Sequence, residues 1–480
     1  MKLWIVAVTA ALLGLAAPPS LVAGPRVAAP AGPVRGTERD GVRVFKGLPY
    51  ALPPVGEARW KPPVAPPAWT TERDATRFAP ACMQPVRPPN LYSEALPAMS
   101  EDCLALNIWS PSDASKLPVF VWIHGGALTG GASSLGMYDG ARLAKRGLVV
   151  VTINYRLGIL GYLAHPGLSA ESTDHVSGNY GLMDQIAALE WVKRNAVAFG
   201  GDPDNVTVAG ESAGALSVMY LMTSPLARGL FAKAVAQSAY MISTPELRED
   251  RFGAEAAEAT GTRIAEKIGA GDVAALRALP AHRLIAAAAK AGYMPWGTVD
   301  GRLLPRQLVD SFDRGEQAPV PLLAGYNSGE IRTLRFLLPP PVPPADYEAA
   351  IGRGYGDLAA PFLAHYPSTN VAESMLATTR DAMYGWTSQR LVAAQAALGS
   401  PSYLYVFDHG YPASDDAGLH AFHAAEIPFI FGTMARTPAL WPKAPGSSAD
   451  LAMTQAMIAG WTSFSRTGTP DAAGHPDWPA

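Results

Sequence analysis

The sequence predicts an α/β fold with a central, mostly parallel, twisted sheet flanked by helices, and three observations predict it. Pro118 to Ile123 has a buried-strand pattern, and Gly147 to Tyr155 reads as a further strand rich in valine. Leu182 to Phe199 then repeats apolar residues at helical spacing. The β-branched run Val206-Thr207-Val208-Ala209 follows, and it turns through Gly210-Glu211-Ser212-Ala213-Gly214 into a helix-compatible segment, Ala213 to Thr223. Such alternation of strand and helix points to a parallel sheet.

The last of these stretches carries the chemistry. Ser212 lies between Gly210 and Gly214 at a strand-to-helix turn, where a side chain at either glycine would collide with the neighbouring strand or helix. That is a nucleophile elbow, and Ser212 is the candidate nucleophile. A bare pattern of five residues arises by chance roughly 0.3 times in a chain of this length and glycine content, so its context decides. Phe199-Gly200-Gly201, four further residues, then Val206, Val208, Gly210, Ser212, Ala213 and Gly214 resembles the serine signature of the type-B carboxylesterases. Cholinesterases and bacterial para-nitrobenzyl esterases form that family. The resemblance runs from about Gly36 to the C-terminus and implies an α/β-hydrolase fold with helical insertions over the active site. It also implies cleavage of carboxylic esters through an acyl-serine.

A chain of 480 residues could hold two or three average domains, but one catalytic domain over residues 36–480 is expected. Only 16 % of residues are charged and the net charge is −3, so neither a polyanionic partner nor disorder is suggested, and nucleic acid is not an expected ligand. Lys2 precedes the apolar run Leu3 to Ala17 and a Pro/Ala/Gly-rich stretch. This reads as a signal peptide over residues 1–23, cut after Ala23, with residues 24–35 a flexible segment. A retained anchor is the competing reading, but the run is too short to span a bilayer and no later stretch is long enough. A secreted or periplasmic chain without stable membrane insertion is expected. Its two cysteines, Cys82 and Cys103, should then be bridged rather than free. Without nearby histidines they supply too few ligands for a metal.

In chain order, Val42 to Phe45, Gly47 to Ala51 and Arg59-Trp60 look like the family's N-terminal hairpin region, and their prolines suit edges and turns. Ser100-Glu101-Asp102-Cys103-Leu104-Ala105-Leu106-Asn107 resembles the second family signature, whose cysteine forms the family's first disulfide. Ala105 stands where Tyr or Thr is usual. After Ile123 come His124-Gly125-Gly126-Ala127, and paired glycines after a strand leave backbone N–H groups uncovered. Gly125, Gly126 and the N–H of Ala213 are assigned to an oxyanion hole. His124 is read as orienting that loop. Phe231 to Gln237 is the next strand, followed by Ser238, which in the family supports the acid; Ala239 replaces the usual glycine. Arg251 to Lys290 is alanine-rich and helical, and Tyr293 and Trp296 either line a pocket or, the favoured reading, pack in the core.

Pro319 to Tyr326 reads as a late strand, and Glu330 in the loop beyond it has the chain order of a triad acid. It stands five residues after Gly325, as the family's acid does after its glycine, although Ile331 replaces a common glycine. Asp300 resembles a structural landmark of the family and is the second choice for the acid. Ser402 to Phe407 is the last strand. His423-Ala424-Ala425-Glu426-Ile427-Pro428-Phe429 resembles the family's HxxExxF segment, with His423 the base, Glu426 a structural carboxylate and His420 a competing histidine. Glu211, beside the serine, joins Ser238 and Glu426 as a supporting residue. His165 and His365 fall outside any motif. Trp461, Phe464, Gly468, Pro470 and Trp478-Pro479 resemble the family's C-terminal segment, which usually continues for some tens of residues.

The expected mechanism is attack of Ser212 on an ester carbonyl, with His423 accepting the proton and Glu330 orienting the imidazole. It needs no metal or organic cofactor. Activity should fall below a pH of roughly 6 to 7, where a histidine base becomes protonated. The other class is a catalytically silent adhesion or binding member of the same fold. Among enzymes, specialisation for long-chain lipids, lactones or toxin esters stays open, as do the substrate's acyl and alcohol groups and the oligomeric state. Choline esters are disfavoured, because between Cys82 and Cys103 the only aromatic residue is Tyr92, where cholinesterases place a tryptophan.

Overall fold

The structure, a computed structural model, describes residues 24–474 and Trp478; the expected signal peptide over residues 1–23, and Pro479, lie outside the described residues. The main sheet contains β1 (Thr37–Arg39), β2 (Val42–Pro49), β3 (Ala105–Pro111), β4 (Leu117–Ile123), β5 (Val149–Ile153), β6 (Gly201–Glu211), β7 (Lys233–Gln237), β8 (Leu322–Asn327) and β9 (Ser402–Phe407). Its spatial order is β9-β8-β7-β6-β4-β5-β3-β2-β1. From β5 to β9 every neighbouring pair is parallel, and β3, β2 and β1 extend the β5 edge in antiparallel fashion. The α/β class and mostly parallel sheet expected from the sequence are what the chain forms.

Helices cover both faces of this sheet, which is why β4 reads as an unbroken apolar run: Val119 to Ile123 are all fully buried. Alternate side chains still part company. Val119, Val121 and Ile123 enter one core with the helices Tyr180–Asn195 and Ala213–Thr223, whereas Phe120 and Trp122 enter the other with the helix Ser448–Thr467. The alanine-rich stretch forms the helices Ala257–Ile268, Val273–Ala278 and Ala281–Lys290 around a third, smaller core. Tyr293 packs against that core and Trp296 against the first, so packing is the reading that holds for both.

One expectation is corrected. Residues 24–35 are not a loose lead-in: Arg26–Ala29 and Gly32–Arg35 pair as an antiparallel hairpin with Val27 opposite Val34, both buried. The Pro/Ala/Gly composition hid these two valines, and Gly32, at φ 138° and against the Trp69 ring, serves the tight turn. Cys82 and Cys103 are joined in a disulfide across 21 positions, a cross-link that stabilises such a loop by roughly 3 kcal/mol. Among the described residues, no helix is long and apolar enough to cross a membrane.

The strand order positions the site. β4 lies between β5 and β6, so the loops leaving the C-terminal ends of β4 and β6 are neighbours, as at the switch point of a parallel sheet. The register aligns Ile123 with Gly210, Glu211 with Gln237, and Gln237 with Gly325. Gly125, Ser212, Ser238 and Glu330 therefore all follow strands that end at one edge of the sheet.

Candidate active site

Ser212 sits between β6 and the helix Ala213–Thr223 at φ 56°, ψ −120°. A non-glycine residue there carries about 1–3 kcal/mol of strain, which persists only where the surroundings enforce it. They do. The Ser212 N–H donates to Gln237 O at 2.9 Å, and the following helix is buried along its whole length. A Cβ on Gly210 would lie 2.5 Å from the Gly214 carbonyl carbon, and one on Gly214 only 2.1 Å from Ile123 O. The steric reason inferred for both glycines is thus visible.

Gly125 lies directly beside the serine. A Cβ there would meet Glu211 O at 2.7 Å and Ser212 Cβ at 3.2 Å, so no side chain fits between the two loops. Gly126 takes φ 107°, a conformation L side chains rarely adopt, and places Gly130 O against itself. Among the described residues, the N–H groups of Gly125, Gly126 and Ala213 have no hydrogen-bond partner in the protein. The Ala213 group also belongs to a helix N-terminus, where negative charge is favoured. His124 shapes this loop: its Nδ1 is 2.8 Å from Gly125 O, its ring stacks on Tyr155 at 4.6 Å, and Tyr155 donates to its carbonyl at 2.8 Å. Burial drives its pKa down to about 4, so it stays neutral.

His423 and Glu330, 93 positions apart, meet because Gly329 donates to Ala421 O at 2.8 Å and bridges Phe422. His423 Nδ1 bonds Glu330 Oε2. The other oxygen of Glu330 accepts from Ser238 Oγ at 2.5 Å and from the Asn327 N–H at 2.8 Å. A fully buried carboxylate is tolerated only with such donors. Ser238 thus hydrogen-bonds the residue the sequence reading paired it with, Glu330. Glu426 lies behind it, accepting from Gln237 Nε2 at 2.9 Å and Asn327 Nδ2 at 2.6 Å, and Trp461 Nε1 in turn donates to Gln237 Oε1 at 3.0 Å. Burial, reinforced by Glu330, raises the Glu426 pKa.

Glu211 occupies a place its supporting assignment did not foresee. Its Oε1 is 3.1 Å from His423 Nε2, an ion-pair contact without hydrogen-bond geometry, and it has no other hydrogen-bond partner, while among the described residues Ser212 Oγ makes no hydrogen bond. In unliganded sites such catalytic bonds are often long and tighten only when substrate binds. Burial, with Glu426 and Glu330 nearby, outweighs the imidazole's attraction and pushes Glu211 up to about 8. Burial disfavours the imidazolium, but the Glu211 and Glu330 carboxylates outweigh it and push His423 up to about 9. The pair holds its proton to higher pH than an isolated histidine would.

A family model described as the carboxylesterase family matches residues 23–349 and 363–480. The chain belongs to the carboxylesterase family. A fumonisin B1 esterase from Sphingopyxis macrogoltabida is 39 % identical over 93 % of this chain and 83 % of its own length. A Bacillus subtilis para-nitrobenzyl esterase is 35 % identical over 94 % and 91 % respectively. Among solved structures, a PNB esterase aligns with a TM-score of 0.81 at 34 % identity, covering 95 % of this chain and 93 % of its own. A Geobacillus stearothermophilus carboxylesterase aligns at 0.78 and 37 %, with the same coverage. The fold is that of the α/β-hydrolases, and the chain is a carboxylic ester hydrolase.

Within this carboxylesterase several candidates stand apart from the cluster. His420 is half-exposed and pairs with Asp415 at 2.8 Å. Asp300 accepts from Asn179 and from the N–H groups of Arg302, Leu303 and Leu304, which spends it on a turn. His165 caps a helix by accepting from the Gly167 N–H, and His365 ends the helix Ala359–His365. Gln237 and Asn327 were not foreseen. Both are buried polar residues at the ends of apolar runs, residues 234–236 and 322–326, and that break in pattern was the available signal. Tyr384, its ring 5.6 Å from the His423 ring, carried no such signal. Among the described residues, no cluster of three or more His, Cys, Asp or Glu could hold a metal ion.

Proposed function

We propose that the chain hydrolyses small-molecule carboxylic esters with Ser212 as nucleophile, His423 as general base and Glu330 as the residue that orients the imidazole. Ser212 attacks the carbonyl carbon while His423 Nε2 takes its proton, exchanging its Glu211 contact for the serine hydroxyl as substrate enters. Nδ1 stays on Glu330 throughout, which fixes the tautomer and stabilises the cation. The oxyanion is received by the N–H groups of Gly125, Gly126 and Ala213, and one such donor is typically worth about 3 kcal/mol of barrier. The imidazolium then protonates the departing alcohol, and water repeats the sequence on the acyl-serine. The observation that carries this reading is a strained serine beside three unpartnered N–H groups, with a buried His–Glu pair whose imidazole contacts the neighbouring Glu211. Rapid mixing with a para-nitrophenyl ester tests it: a burst of one nitrophenol per chain is expected, and turnover without an acyl-enzyme would overturn it.

The pH profile follows from the neighbouring carboxylates. A raised histidine pKa keeps the base protonated at neutral pH, so the acid limb of kcat/KM is expected above the ordinary histidine value, and higher than the sequence suggested. Glu211→Gln removes the carboxylate that does most to stabilise the imidazolium and should move that limb down by about one pH unit. A limb that stays put in the variant would mean that Glu211 does not tune the base. Export of the mature chain is part of the proposal, supported by the Cys82–Cys103 bridge.

A further inference from the structure

The loop closed by Cys82 and Cys103 reaches the histidine segment through one side chain. Tyr92, near the middle of that loop, has its hydroxyl 3.0 Å from the backbone oxygen of His423 and 2.7 Å from Thr333 Oγ1. A carbonyl oxygen only accepts, so the phenol's single proton is committed to His423 and Thr333 is the donor of the second bond. Thr333 ends the short turn Glu330–Thr333 whose first residue is the acid. One hydroxyl therefore joins three segments distant in sequence: the disulfide loop, the acid's turn and the base's backbone.

The phenol ring is itself held in place. It packs edge-on against Trp441 at 5.8 Å, and Trp441 packs edge-on against Phe422, the residue before His423, at 4.7 Å. On the other side of His423, Ala424 takes φ 68°, a conformation a non-glycine residue keeps only when its surroundings impose it. Burial and the nearby glutamates outweigh the Thr333 bond and raise the phenol well above its ordinary pKa, so it keeps the proton it donates.

We infer that Tyr92 is a positioning residue for ester hydrolysis: its hydroxyl holds the His423 backbone, and through it the imidazole, in register with Ser212 and Glu330. The inference rests on the proposed Ser212–His423 assignment. Tyr92→Phe keeps the ring and removes the hydroxyl. With active sites counted by a fluorophosphonate, its kcat per site on para-nitrophenyl acetate is expected to fall about tenfold while KM changes less than twofold. Thr333→Val should lower kcat about threefold, and the double variant should be no worse than Tyr92→Phe alone, since both act through one hydroxyl. Unchanged kcat per site in both single variants would overturn the inference, as would a loss carried by KM, which would make Tyr92 a substrate contact. Fluorophosphonate on Ser212 in the wild-type protein shows separately whether the nucleophile assignment stands.

Discussion

Replacing Ser212 with Ala is expected to lower kcat for a para-nitrophenyl ester by about 10⁵- to 10⁶-fold. Alanine retains the Cβ and the backbone demand at φ 56°, so the elbow is preserved and only the hydroxyl is lost. The remaining N–H groups can still polarise a carbonyl, which leaves a residual rate above that in water but no route to an acyl-enzyme. The thermal midpoint of the variant should therefore stay close to the wild-type value. Steady-state turnover at saturating ester, alongside a melting curve, checks both halves, and retained activity in a folded variant would remove Ser212 from the mechanism.

His423→Ala is expected to be nearly as damaging, lowering kcat by about 10⁵-fold, whereas His420→Ala should change it less than twofold. The two histidines are three positions apart, yet their surroundings differ completely. His423 is buried between Glu330 at Nδ1 and Glu211 at Nε2, while His420 shares an exposed pair with Asp415. Removing the first also leaves two buried carboxylates without their cation, so some loss of stability should accompany the loss of rate. An exposed pair such as the second contributes little to either. The same turnover assay on both variants decides between them, and the opposite ranking would show that the base is the other histidine.

The fold was legible where local pattern and tertiary demand coincide. β4 and β5 are covered on both faces, so burial wrote itself into continuous apolar runs, and the elbow's glycines answer to collisions with Ile123 and Gly214 that any sequence in this fold must avoid. Chain order then placed Glu330 and His423, which the contact at Gly329 and Phe422 brings together. What escaped was cross-chain. That Asn327 serves two carboxylates, that Gln237 links Glu426 to Trp461, and that Tyr92 reaches His423 all depend on which strand ends lie side by side. No local spacing encodes that. The hairpin at residues 26–35 was lost for a different reason: composition outweighed the two valines whose pairing buries it.

The convergence of these side chains on a single serine is tested most directly by a fluorophosphonate that reacts only with an activated hydroxyl, followed by peptide mapping. One adduct per chain on Ser212 is predicted, with labelling slowed by orders of magnitude in His423→Ala. An adduct on another serine, or none on Ser212 in an active preparation, would contradict the account.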